Sequence, residues 1–501
     1  MSLITLLFLS LISLSLLDDT VKYRPVFVLT HFRHGARAPQ GYIDEKELLD
    51  YALEKWDNPG ELTGMGQRMH YLLGLRNRER YITDTYKNFL SPNFDPHEML
   101  IYSSSLNRTI LSVSCQLQGL YPEGTGEVLN DYQRENALPK VNLSAAVQDK
   151  QSELGENALP HKISLAPVRM ISPLEKKIII YDIPTCLFRR DEMREKNEKE
   201  KDSLKNITNF FKEKYLDKLK PIYDKYNKSY DIHFIDYFCD GFIAGYTEGR
   251  SLEQIINTGI NKEEMKQYCF EFSALNFRDW ISGDKDRTLA TLEVSKLMRE
   301  FIHYAKERID IDKKNETEEI KAFKKDYSKP KMMMISAHDS TVSTLEMFFA
   351  KVFANNDENF YRYPYFATQV ALEVVIDESI PQDKIEDKDY KIKYFFNDDE
   401  VFMKNMTDFI KEVEPNLWSD QKIDEYCNFT EKKKDAFFYL TITFSVTTGL
   451  LLIALIIVII KCRKKTSETI TDTGHLLNSY DSGNNYNVIY TIMILCYFYL
   501  I

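Results

Sequence analysis

The sequence predicts an α/β domain, a three-layer sandwich of a mostly parallel sheet between helices. Three observations predict it. Short runs rich in aliphatic and β-branched residues recur along the chain. Amphipathic helical stretches follow most of them. The middle of the chain carries helix formers and no clear strand. Strands that alternate with helices imply a parallel sheet covered on both faces.

The elements follow in order. Val26-Phe27-Val28-Leu29-Thr30 reads as a buried strand that ends at His31-Phe32-Arg33-His34-Gly35. Gly64 to Arg80 reads as a helix with Met65, Met69, Leu72, Leu73 and Leu75 to one side. Met99-Leu100-Ile101-Tyr102 is a second strand, and Thr109 to Leu120 a second helix. Lys331 to Ser336 is a third strand, followed by a helix from Ser340 to Val352. Val370 to Ile376 is a fourth. The region 186–290 reads as a helical cap inserted into the α/β domain, which itself extends over 22–430. Two stretches dense in Glu and Lys, Arg189–Lys205 and Asp310–Lys331, read as solvated faces or loops.

The chain has 501 residues, 44% hydrophobic and 28% charged, with a net charge of -11. That is enough for a sizeable core. The acidic balance argues against a nucleic-acid partner, which needs a basic face. It does not exclude a small anionic substrate, because a local arginine cluster binds phosphate whatever the overall charge.

Both ends carry targeting patterns. Residues 1–17 read as a signal peptide, although no Lys or Arg opens the chain. Residues 436–460 contain no charge and are long enough to cross a bilayer core of about 30 Å. Lys461, Arg463, Lys464 and Lys465 follow, although Lys432, Lys433 and Lys434 precede. The leader and the basic flank together predict a single-pass type I protein with a cytoplasmic tail, 461–501. In the tail, Asp472 to Leu477 resembles an acidic dileucine signal and Tyr486-Asn487-Val488-Ile489 a tyrosine-based one. These point to a lysosomal or endosomal destination, with the cell surface as the alternative. The apolar end, 488–501, is too short to span and has no assigned role. Seven N-x-S/T sequons, at Asn107, Asn142, Asn206, Asn227, Asn315, Asn405 and Asn428, fit a lumenal domain. Seven cysteines include five outside the tail: Cys115, Cys186, Cys239, Cys269 and Cys427. None has the CxxC spacing of a zinc site, and no metal or other cofactor is expected.

Three segments carry chemistry, each at the C-terminal end of a predicted strand, where open α/β sheets place ligands. In Arg33-His34-Gly35-Ala36-Arg37-Ala38-Pro39 two arginines flank a histidine. Such a cluster is costly without an anion, arginine forks suit phosphate oxygens, and neutral imidazole attacks phosphorus. In Ser103-Ser104-Ser105-Leu106-Asn107-Arg108-Thr109, Arg108 sits just before a helix, whose N-terminus also favours phosphate. In Ser336-Ala337-His338-Asp339-Ser340-Thr341, His338 and Asp339 follow a strand and precede a helix. Taken alone, Asp339 or Ser340 reads equally well as an N-cap.

The first segment resembles the RHGxRxP signature of the histidine acid phosphatases. Further resemblance runs through Gly60-Glu61-Leu62-Thr63, Gly66, Leu73-Gly74, Arg80-Tyr81, Arg108-Thr109, Ser112, Gly119 to Pro122, the His338-Asp339 segment, Pro364 to Ala367 and Glu373. The lysosomal and prostatic branch is the most similar. The resemblance implies a phosphoglycerate-mutase-like fold and hydrolysis of phosphate monoesters. His34 would be the nucleophile, Asp339 the proton donor, and Arg33, Arg37, Arg108 and His338 the phosphate ligands. It implies pairing of Cys186 with Cys427 and, less directly, of Cys239 with Cys269, leaving Cys115 unpaired. It leaves room for a homodimer. The sequon at Asn107 should be unused, since a glycan beside Arg108 would block the pocket. Two alternatives remain at this level: an inositol-polyphosphate or lysophospholipid phosphatase of the same family, and a phospho-ligand receptor without turnover.

Overall fold

A computed structural model describes residues 21–40, 56–171, 202–223, 232–282, 287–314, 330–357 and 360–426, with isolated helical positions at 448, 456–457 and 460–461. The chain divides into two compact units, Met1–Ile423 and Asp424–Ile501. The expected signal peptide, the cytoplasmic tail beyond Lys461 and most of the 436–460 span lie outside the described residues. Among the described residues no helix is long and apolar enough to cross a membrane.

The first unit is built on a seven-stranded sheet. Its strands are β1 (Tyr23–Arg33), β2 (Met99–Ser103), β3 (Arg169–Met170), β4 (Met332–Ala337), β5 (Gln369–Asp377), β6 (Lys391–Phe396) and β7 (Asp399–Asn405). They lie in the order β3-β2-β4-β1-β5-β6-β7. The longer helices are α1 (Gly64–Arg78), α2 (Asn107–Leu120), α3 (Ala145–Leu154), α4 (Asp202–Tyr223), α5 (Ile232–Thr247), α6 (Lys262–Ser282), α7 (Thr288–Asp312), α8 (Asp339–Phe353) and α9 (Met406–Val413).

The sheet is mixed, and this corrects the expectation of a mostly parallel one. Strands β3, β2, β4 and β1 run parallel to one another. Strands β1, β5, β6 and β7 alternate in direction. The cause is local. β6 and β7 are joined by Asn397-Asp398 alone, and a two-residue turn can only connect antiparallel strands. Asn397 takes the positive φ that such a turn needs, 54°. β6 shows the alternation of a sheet with one buried face: Ile392, Tyr394 and Phe396 point inward, and Lys391, Lys393 and Phe395 are only partly covered.

Both faces of the centre are covered. Along β1, Phe27 and Leu29 join Met333 and Ile335 in a core closed by α7, α8 and α9. Val28 and Phe32 join Met332, Met334, Val113, Leu117 and Tyr81 on the other face. The two-residue period of the strand therefore feeds two cores, which is why the run reads as continuously apolar. On the second face α1 and α2 cross closely. A β-carbon on Gly74 would lie 2.0 Å from the Gln116 carbonyl oxygen, and one on Gly119 2.1 Å from that of Tyr71.

Between β3 and α7 the described residues form helices and no strand. α4, α5 and α6 have their own core, with Phe211, Phe238, Phe242, Met265, Tyr268 and Phe272. A disulfide between Cys239 and Cys269 joins α5 to α6, and Cys115 is unpaired. Cys186 and Cys427 lie outside the described residues.

The predicted helix 64–80 ends as a regular helix at Arg78 and continues as a π-helical turn, Glu79–Thr83. That turn brings Arg80 and Tyr81 to Glu373 of β5, which is fully buried. The Glu373 carboxylate accepts from Arg80 Nε (2.6 Å) and Nη2 (2.8 Å), from the Tyr81 hydroxyl (2.7 Å) and from the Tyr86 hydroxyl (2.9 Å). All its lone pairs face donors, which a carboxylate in the interior requires. Replacing Glu373 by Ala would leave a guanidinium and two hydroxyls without their acceptor. The expected loss is roughly 3–5 kcal/mol of folding stability in urea or guanidinium titrations. A loss within the error of those titrations would mean that the cluster is dispensable.

Candidate active site

The site begins where β1 ends, between β4 and β5. The Arg33 N–H donates to the Thr368 carbonyl at 2.9 Å, and the His34 N–H to that of Ala337 at 3.0 Å. The Ala367 N–H donates to the His34 carbonyl at 3.0 Å, with Ala367 at φ 58°. The backbone of the Arg33-His34 pair is therefore held from both sides. Gly35 then passes against α1: a β-carbon there would lie 2.4 Å from the Gly66 carbonyl oxygen, so only glycine fits. The Gly35 N–H donates to Ser112 Oγ (3.1 Å), whose own hydroxyl donates to the Arg108 carbonyl (2.6 Å). Thr63 caps α1 and also donates its N–H to the Ala36 carbonyl (3.0 Å). The resemblance had singled out Gly66, Thr63 and Ser112 without a role, and each proves to be a tie that fixes the loop.

His34 is 2% exposed. Its Nδ1 lies 2.9 Å from the Gly35 carbonyl oxygen. A carbonyl only accepts, so Nδ1 carries the proton and Nε2 keeps its lone pair. Burial, and then the charges of Arg33, Arg37, Arg108 and His338, hold the His34 imidazole well below its usual basicity. The ring stays neutral and nucleophilic well into the acid range.

The guanidinium groups around it differ in how they are compensated. Arg33 Nη2 pairs with Asp339 Oδ2 at 2.6 Å, its Nη1 donates to the Pro364 carbonyl at 2.8 Å, and its plane lies over Phe366. Arg37 meets Asp240 of α5 through two bonds, Nη2 to Oδ1 (2.8 Å) and Nη1 to Oδ2 (3.1 Å). Asp240 also accepts from the Gln40 N–H (2.9 Å). Burial alone would raise the Asp240 carboxyl, but Arg37 outweighs it and the net shift is downward. Among the described residues Arg108, in the first turn of α2, has only a long contact from Nη1 to the Gly60 carbonyl (3.4 Å), and its Nε has no partner. Burial and the neighbouring Arg37 push it down to about 10. It is the cation of this group that lacks a facing carboxylate.

The late dyad is seated by the start of α8. His338 occupies the N-cap position and Asp339 the first helical one, so neither Asp339 nor Ser340 is the cap. Asp339 Oδ1 accepts from the Ser340 N–H (2.8 Å), leaving Oδ2 for Arg33. The His338 ring lies edge-on to His34, 5.7 Å between centroids, and its Nε2 is 2.9 Å from Ser104 Oγ. Proton counting fixes that bond. Thr109 Oγ1 touches the carbonyls of Ser104 and Leu106, so its single proton goes to one of them. It therefore accepts from Ser104 (2.8 Å), and Ser104 in turn accepts from His338 Nε2–H.

The structure thus gathers Arg33, His34, Arg37, Arg108, His338 and Asp339 from three distant segments. Sequence reasoning missed Asp240, which lies in the cap outside any motif and shows only as a lone acid in Cys239-Asp240-Gly241. It also missed His31 and Thr341. The buried His31 Nε2 lies 2.9 Å from Thr341 Oγ1, which donates to the His338 carbonyl (2.8 Å) and accepts from the His338 N–H (3.1 Å). Burial pushes His31 down to about 3. Asn107 is exposed and its amide donates to Glu61 (3.1 Å), while Thr109 of the same sequon is buried.

Comparison with known proteins bears on this arrangement. The pattern of the histidine phosphatase superfamily (branch 2) matches residues 26–397. Lysosomal acid phosphatase of Xenopus laevis is 34% identical over 108 residues, 21% of this chain and 22% of that protein. Testicular acid phosphatase of Homo sapiens is 36% identical over 99 residues, 20% and 22%. The aligned segments thus span about a fifth of these relatives. Hafnia alvei phytase in complex with tartrate superimposes with a TM-score of 0.47 at 12% identity, over 81% of this chain and 100% of that one. The family pattern covers the sheet from β1 to β6, the signature loop and the His338-Asp339 dyad together, and the chain belongs to branch 2 of the histidine phosphatase superfamily.

Proposed function

We propose that this protein is an acid phosphatase that hydrolyses small phosphate monoesters through a phosphohistidine on His34. The observation that carries the reading is the fixed tautomer: Nδ1–H donates to Gly35 and Nε2 is a neutral lone pair among arginines. Nε2 attacks phosphorus in line, and the ester P–O bond breaks. The leaving oxygen takes a proton from Asp339. Water then attacks phosphorus, the P–N bond breaks, and the water's proton returns to Asp339. Arg33, Arg37 and Arg108 hold the equatorial oxygens, and His338 joins them as a donor when its ring takes up a second proton at Nδ1 beside the bound dianion; positioning and electrostatics supply most of the rate. The Gly35 carbonyl continues to accept from Nδ1–H while the ring carries the phosphoryl group, which steadies its positive charge.

Nothing in this scheme calls for a metal. Cys186–Cys427 pairing, a catalytic domain over 22–430 and a cap over 186–290 complete the proposal. A leader at 1–17 and a span at 436–460 would place the domain in the lumen of a lysosome-like organelle or outside the cell. Their support is compositional: both runs are apolar without charge, and a basic cluster follows the second. Exposure of Asn142 and Asn206 is compatible with glycosylation there.

Four outcomes are expected. His34→Ala abolishes release of phosphate from an aryl phosphate at pH 5, and turnover that persists in the variant would exclude the covalent route. Asp339→Asn lowers kcat by about 10²–10⁴-fold for alkyl phosphates, whose leaving oxygens need a proton. It does much less to aryl phosphates with acidic leaving groups, and equal losses on both would remove Asp339 from the proton-donor role. The third concerns pH. The rate needs neutral His34, whose proton affinity is lowered, so protonation begins only well below 6.5. As pH falls from 6.5 to 5, kcat/KM should not decline, whereas a descending limb centred near 6.5 would show an ordinary imidazole. Fourth, a stop codon after residue 430 should release activity into the medium of expressing cells, while the full chain stays with membranes in alkaline carbonate.

A further inference from the structure

The opposite end of β1 holds a second cluster of cations that the phosphatase reading does not use. A cleft of about 400 Å³ lies where β1 and β4 begin, lined among others by Lys22, Arg24, Lys87, Arg308, Lys331 and Asp312. Six strand residues, Phe27 to Phe32, lie between it and the signature loop, roughly 20 Å at the rise of an extended chain.

Arg308, near the C-terminal end of α7, is the residue that stands out. It is 7% exposed, and its Nε and Nη1 have no hydrogen-bond partner. The two carboxylates that act on it are already engaged by other donors. Asp312, one turn further on, receives Arg24 Nη1 (2.7 Å) and Nη2 (2.9 Å), and the Tyr390 hydroxyl (2.9 Å). Glu98 receives Lys331 Nζ (2.6 Å) on one oxygen and the Ser91 N–H (2.7 Å) on the other. Lys22 is spoken for by Glu378 at 3.1 Å. A buried guanidinium without an acceptor is strongly destabilising, and it is tolerated where an anion completes it. Lys87, on the exposed lip of the same cleft, adds a second positive charge.

We propose that this cleft is an anion site separate from the catalytic one, taking a small oxoanion of the phosphate or sulfate class. The planar fork of Arg308 supplies paired donors, as such oxygens require, and Lys87 adds charge from the lip. Nothing about the site depends on turnover at His34, so its test stands apart from the test of the phosphatase.

The experiment is amide hydrogen exchange on the full chain in phosphate-free buffer, with and without saturating inorganic phosphate. The expected result is slowed exchange in the loop 84–89, beside any change around 33–38. In Arg308→Met the loop effect disappears. Aryl phosphate turnover stays within about twofold of wild type, and melting in phosphate-free buffer is unchanged or higher, since a buried unpaired charge has been removed. No loop effect in wild type, or the same effect in the variant, overturns the proposal. Should Arg308→Met fail to fold, Lys87→Glu is the second arm, because Lys87 is exposed and its loss cannot disturb the core. It should raise severalfold the phosphate concentration that gives half of the loop effect, and an unchanged concentration overturns the proposal equally.

Discussion

Three arginines and two histidines crowded around one buried point constitute the constraint on which the rest of the structure depends. Like charges at such range repel, and burial strengthens the repulsion. The protein offsets it unequally. Arg33 is answered by Asp339 and Arg37 by Asp240, while both histidines are kept neutral by burial and by the same arginines. Arg108 is left facing the His34 ring's surroundings with little more than a distant carbonyl. The arrangement is thus short of negative charge, which under the proposed function a phosphate group supplies.

The sheet explains how such a cluster can be held still. β1 is the strand at which the sheet changes sense, parallel to β4 on one side and antiparallel to β5 on the other. Its last residues are gripped by the Ala337 carbonyl from β4 and by Ala367 and Thr368 ahead of β5. The same two neighbours deliver the chemistry. β4 continues into His338 and Asp339, and the approach to β5 supplies the Pro364 carbonyl and the Phe366 ring under Arg33. Helix α2 brings Arg108, and Ser112 ties that helix to Gly35. The antiparallel half of the sheet, absent from the parallel expectation, is therefore part of the support of the site. The site could not be built from the parallel half alone.

This division also accounts for what the amino-acid sequence disclosed. Arg33, His34 and Arg37 stand within one heptad that carries its own signal, whereas Arg108 and the His338-Asp339 dyad, each where a strand gives way to a helix, were ambiguous alone and were read as site residues through the resemblance. β6 and β7 went unread because a half-exposed strand such as Lys391–Phe396 mixes lysines with aromatics, and its apolar face appears only on counting alternate positions. Asp240 had no local mark at all. Its meaning comes from the placement of α5 over Arg37, across some two hundred residues of chain, and no motif spans that distance. His31 and Thr341 were hidden for another reason: a histidine inside a strand looks like core, and only its bond to the hydroxyl that braces His338 gives it a part.

The pairing of Arg33 with Asp339 carries a consequence for the proposed reaction. In the unliganded site the Asp339 carboxylate is bound to the Arg33 guanidinium. A proton donor must hold a proton when the ester bond breaks. An arriving phosphate group competes for the same guanidinium, and every bond that Arg33 makes to a phosphate oxygen weakens its hold on Asp339. Under the proposed function, binding of a phosphate group would in this way free the Asp339 carboxylate for the leaving oxygen, with no movement larger than the swing of one guanidinium. Asp240 has a different place in this exchange. It lies on the cap, grips Arg37 with both oxygens and also holds the Gln40 N–H, so Arg37 stays oriented while Arg33 changes partners. One arginine is built to be released and the other to be kept, and the difference lies in which carboxylate has a second tie to the backbone of the signature loop.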